Sequence, residues 1–143
     1  MANMRYERKQ GNRGVVPVKP REISFSLTKL DVTQGQSLNL WETEGLLSVL
    51  CTRLQQIGQY TAQEALAKQL IKQYTKVGFP DKSAFNPPKH IPPPNYWAVI
   101  HITPKSKEVV AGFIDNDIFY IVFLDKEHKF WPTDIQDRGK NKR

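Results

Sequence analysis

The sequence predicts an α+β fold: a small two-layer domain of order β-α-α-β-β-β, with a mixed four-stranded sheet and two helices on one face. Three observations predict it. An alternating apolar/polar segment begins at Ile23. Two stretches of helical periodicity follow between Leu46 and Val77. The last third, from Tyr96 to Leu124, consists of three apolar runs separated by short turns.

Each element has its own signature. Ile23, Phe25 and Leu27 alternate with Ser24, Ser26 and Thr28, the period of a half-buried strand, which is expected to run to about Val32 before the turn TQGQS at 33–37. Leu46, Leu47, Leu50, Leu54 and Ile57 recur at three- and four-residue spacing and predict the first helix, with Trp41 just before it and Gly58 as its stop. Glu42 and Glu44 suit the positive end of its dipole. Thr61-Ala-Gln-Glu64 is a capping box and opens the second helix. Leu66, Leu70, Tyr74 and Val77 give its apolar stripe, Lys68, Lys72 and Lys76 a basic ridge, and Gly78 and Pro80 its end.

Residues 79–95 hold six of the ten prolines and predict an extended connector, pinned by Phe79, Phe85 and Ile91. Tyr96–Thr103 and Glu108–Ile114 read as strands around a turn at 104–107. Asp115-Asn-Asp117 reads as a tight hairpin turn. Ile118–Leu124 is apolar on both faces, so it should lie centrally, and Phe130-Trp-Pro132 should pack the end. The first strand reaches the sheet through a helical crossover, which lets it lie parallel to a later strand.

Composition bounds the function. A chain of 143 residues has room for one core, and no apolar run is long enough to span a bilayer. The N-terminus MANMRYERKQGNRG lacks the apolar stretch of a secretory leader, and the single Cys51 offers no internal disulfide, so a cytoplasmic setting is expected. The formal net charge is +7 and sits at the ends. Residues 1–22 carry six basic and two acidic side chains, and residues 133–143 carry four and two. The reading is therefore a flexible basic arm at 1–21, one domain at 22–132 and a basic tail at 133–143. Basic arms on a near-neutral core suit a polyanion such as RNA.

The stretch Val109–Pro132, VVAGFIDNDIFYIVFLDKEHKFWP, together with the order of elements over 22–132, resembles the RelE/ParE-like toxin superfamily. There too a meander ends in a polar turn, a His-basic pair and a terminal aromatic, positions held here by His128, Lys129 and Trp131. The resemblance implies a toxin-like, metal-independent ribonuclease acting on mRNA, with the ribosome and an acidic antitoxin as partners and no cofactor. Other members act on DNA gyrase or are inactive. The implied chemistry is attack by the ribose 2′-OH, held in line with phosphorus, with cationic stabilisation of the phosphorane and an acid or base. The chain departs from the pattern in two places. Its meander has no arginine, Arg53 being on a helix, and Trp131 stands where a Tyr is usual. A non-catalytic nucleic-acid-binding or protein-interaction module is therefore the alternative.

The candidate catalytic residues are His128, Lys129, Lys105, Lys107 and His101. His128 comes first because an imidazole titrates near neutrality. Candidate RNA contacts are Trp131, for stacking on a base, and Arg53, Arg138, Lys140, Lys142 and Arg143. Each also has a plainer reading: His101 as a hydrogen-bonded core histidine, the turn lysines as solvated charges, Trp131 as a core plug. Asp115 with Glu127 and Lys129 has the form of a metal-nuclease motif, but the carboxylates would fall roughly 23 Å apart along a strand. His90, His101, His128 and Cys51 lack zinc spacing. No Gly-rich phosphate loop or serine-hydrolase elbow is present. No metal is expected.

Overall fold

A computed structural model describes residues 21–75, 78–94 and 96–131. The alternating segment at Ile23 forms only a short strand, β1 (Ser24–Ser26), because a turn intervenes in which the Leu30 N–H reaches the Leu27 carbonyl. A six-residue helix absent from the sequence reading follows, α1 (Leu38–Thr43), capped by Ser37, whose hydroxyl accepts the Leu40 N–H. Its Trp41 is fully buried. The first predicted helix appears as α2 (Leu46–Ile57), closed at Gly58.

The second predicted helix is corrected. Its capping box forms: the Thr61 hydroxyl accepts the Glu64 N–H, and the Glu64 carboxylate accepts the Thr61 N–H. The helix, α3 (Ala62–Ala67), then stops, because Gln69 takes a left-handed φ of 61° and the Leu70 N–H folds back to the Ala65 carbonyl. The chain continues as β2 (Lys72–Tyr74). The basic ridge dissolves with the helix: Lys68 caps α3, Lys72 lies on a strand, and Lys76 is outside the described residues.

The meander follows as β3 (Trp97–His101), β4 (Val109–Asp115) and β5 (Ile118–Asp125). The hairpin turn lies at Asn116 and Asp117, both with positive φ, as a two-residue primed turn requires. The sheet has five strands in the order β1-β5-β4-β3-β2, not four, and three helices rather than two accompany it. β5 is an interior strand, with β1 parallel on one side and β4, the central strand, antiparallel on the other.

Both faces of the sheet are covered. Ala98, Ile100, Val110, Phe119 and Ile121 pack against Trp41, Leu50, Ile57 and Ala65 of the helices. Trp97, Val99, Val109, Ala111 and Phe123 face the proline-rich connector, which applies Phe79, Phe85 and Ile91. Phe85 stacks on Phe123 at 4.7 Å. The His90 Nε2 donates to the Lys29 carbonyl and fastens the same segment.

A β-bulge sets the phase of β5. Ala111 pairs with Phe123 and Gly112 with Ile121, so Val122 is the extra residue, and Val122 and Phe123 both face the connector. The Asp31 N–H takes the Val122 carbonyl at 2.8 Å. Gly112 is required beside this bulge, because a Cβ there would run into the Tyr120 carbonyl. No helix among the described residues is long and apolar enough to cross a membrane.

Candidate functional site

The chemistry-bearing residues collect at one end of the sheet, on the connector side. His101 pairs with Val109, and Val109 pairs with Asp125, so these three residues form one row across β3, β4 and β5 and share a face. Lys72 pairs with Val99 and Tyr74 with Trp97, which puts both on that face too.

Asp125 is fully buried, and its carboxylate accepts the Lys129 N–H at 2.9 Å and the Phe130 N–H at 2.7 Å. Burial pushes its carboxyl above the usual range, against the opposing pull of those N–H groups and of His128. These bonds curl the chain back over the sheet. They drive Phe130 into the core and set His128 at φ 58° with its ring turned inward. The His128 and His101 rings then meet, with centroids 5.2 Å apart at 44°.

His101 Nδ1 lies 3.1 Å from the Ser106 carbonyl, so that nitrogen carries the proton and Nε2 carries the lone pair. The His101 carbonyl accepts Arg53 Nε at 3.1 Å, which brings the helix arginine to the end of β3. Burial holds the His101 imidazole below its ordinary value. The charges of His128, Lys72 and Arg53 push the same way, and the Ser106 bond opposes them. Tyr74 stacks on Trp131 at 4.5 Å and 17°. Burial, followed by the charge of Asp125, pushes its phenol up, so it stays protonated across the neutral range. A groove of about 460 Å³ runs along β2 and shares Lys72 and Tyr74 with this cluster.

Of the residues named from sequence, the fold brings together His101, His128 and Arg53, while Trp131 packs on Tyr74. Lys129 is exposed next to them, while its backbone is bound to Asp125. Lys107 is exposed and paired with Glu127 at 2.9 Å, and Lys105 is exposed in the same turn. Arg138, Lys140, Lys142 and Arg143 lie outside the described residues. Asp115 and Glu127 fall at opposite ends of the β4–β5 hairpin. No group of three His, Cys, Asp or Glu side chains that could hold a metal ion occurs among the described residues.

Sequence reasoning missed Lys72, Tyr74 and Asp125. Lys72 and Tyr74 were hidden by the helix prediction, although their two-residue spacing also fits one face of a strand. Asp125 carried a weak signal, an acid at the end of an apolar strand just before a polar turn. Compared with family models, curated proteins and solved structures, the chain finds no match.

Proposed function

We propose that this chain acts on RNA as a toxin-like, metal-independent ribonuclease, with the His101–His128 end of the sheet as its site. The observation that carries the reading is the close pair of imidazoles, 5.2 Å apart, with Lys72 and Arg53 beside it. Two imidazoles in different protonation states can serve as base and acid in one transesterification. His101 Nε2 takes the 2′-OH proton as the 2′-oxygen attacks phosphorus. The P–O5′ bond breaks, and His128, which carries a proton once its ring has turned out of its seat, gives that proton to the leaving 5′-oxygen. The products are a 2′,3′-cyclic phosphate and a 5′-OH. Lys72 offsets the charge that builds on the phosphorane, and Trp131 offers a ring face to an unstacked base. The groove along β2 gives a strand of RNA a place beside Lys72 and the Tyr74 ring. An mRNA on the ribosome is the substrate that the RelE-like reading names, and an acidic antitoxin is its restraining partner.

A second reading has its own support. His128 is buried and Lys107 is tied to Glu127, so two of the candidate catalytic groups are already engaged within the fold, which favours a module that does not cut. One experiment separates the two. Purified protein is incubated with RNA, and with DNA of the same sequence, in the presence of a chelator, and the ends are mapped. The proposal expects RNA-only cleavage that leaves cyclic phosphates, lost in His101→Ala with an unchanged melting curve. Binding without new ends, both free in solution and on translating ribosomes, rejects the nuclease and leaves the binding module.

A further inference from the structure

We infer that the His101–His128 contact is a proton-sensitive clasp: the His128 ring stays seated against His101 while both are neutral and swings out when the pair takes up protons. The seat is specific and lightly fastened. The His128 ring is nine-tenths buried, yet its Nδ1 meets no hydrogen-bond partner. The backbone at φ 58° is a conformation that side chains other than glycine adopt reluctantly. Packing therefore holds the ring, and the neighbouring imidazole is His101. A neutral imidazole tolerates such a seat, because one of its nitrogens is only a lone pair. A protonated imidazole carries a donor on each nitrogen, and a buried N–H without an acceptor is unfavourable.

The surrounding charges set the direction. His101 faces the Ser106 carbonyl from its own following turn, Lys72 from β2, Arg53 from α2 and His128 from the turn after β5. His128 faces His101 and Asp125. Asp125 is the one anion acting on His128 among these groups, and its oxygens already accept the Lys129 and Phe130 N–H groups. A proton added to His101 thus joins a cluster of cations. Water outside offers it a higher dielectric and free acceptors.

The backbone around the ring stays in place. Asp125 holds Lys129 and Phe130, Gln36 Oε1 accepts the Lys126 N–H at 2.6 Å, and the side chains of Lys126 and Glu127 pair with Glu44 and Lys107. Rotation about the side-chain bonds of His128 is the motion left. It uncovers His101 at the end of β3, so acidification opens that end of the sheet to a ligand.

The clasp does not depend on RNA cleavage, and its test reads conformation alone. The chain has three histidines, and the exposed His90 serves as the reference in proton NMR of the imidazole rings of the full chain. The expected result is a through-space signal between the His101 and His128 rings at pH 7.5 that disappears as pH falls through the His101 titration midpoint, while the β4 and β5 signals stay unchanged. In His128→Gln that midpoint should move upward. A ring contact that persists once His101 is protonated overturns the clasp. So does loss of the β4 and β5 signals together with the contact, since release would then be general unfolding.

Discussion

The Asp125 carboxylate accepts the Phe130 N–H at 2.7 Å in a site closed to water, and the same carboxylate accepts the Lys129 N–H. Asp125→Ala should strand two donors, at a cost of about 3 kcal/mol. For a chain of this size that lowers Tm by about 6–12 °C in a thermal melt. Burial raises this carboxyl, so the folded chain binds its proton more tightly than the unfolded chain just above the ordinary value of 3.8. The stability that the protonated form supplies is present at low pH and declines as pH rises through the raised value. The loss in Asp125→Asn, which cannot ionise, should therefore be smaller at pH 7 than at pH 4.

His101 works in the opposite direction. Its folded value lies below the ordinary 6.5, so the unfolded chain binds the proton first as pH falls. The stability tied to neutral His101 is complete above that value and is lost as pH drops through the window beneath it. Melts from pH 7.5 to 5 should show a decline in the wild type that is shallower in His101→Gln. If His101 is the base of an RNA cleavage reaction, activity should persist below pH 6.5 and fall only at the lowered value.

Gly112→Ala places a methyl group against the Tyr120 carbonyl, which is backbone and cannot rotate away. The expected loss is about 1–3 kcal/mol or more. Denaturant titration should show a lower midpoint, and a midpoint equal to the wild type would mean that the bulge relaxes around the new carbon.

Lys72 and Lys107 should behave differently. Lys107 and Glu127 form an exposed ion pair with side chains 62% and 41% accessible, so Lys107→Ala should leave Tm nearly unchanged. Lys72 lies beside the imidazole pair and the groove. If the site handles RNA, Lys72→Ala should lower kcat/KM on a short RNA by about tenfold or more while the fold is retained.

The sequence was most informative where one local pattern had one structural solution. Ile118–Leu124 is apolar on both faces and became an interior strand, and Asn116 and Asp117 formed the hairpin turn. Thr61 and Glu64 made the capping box that their spacing announced. The end of that helix was not legible, because Leu66, Leu70 and Tyr74 fit a helical stripe while Lys72 and Tyr74 fit a strand face equally well. The decision came from distant partners, Trp97 in register and Trp131 stacked on the ring. Ser37 gave too little signal to reveal a six-residue helix. His101 and His128 were each singled out, but their contact depends on the curl that Asp125 imposes, which no local spacing encodes.

The pairing of Ser24 with Ile118 has a consequence during synthesis. A ribosome delivers β1 and all three helices well before it delivers β5, at roughly 5–20 residues per second. For several seconds the nascent chain holds Phe25, Leu50 and Ile57 with no sheet to cover them. Any release before Ile118 therefore leaves a fragment that cannot close its core.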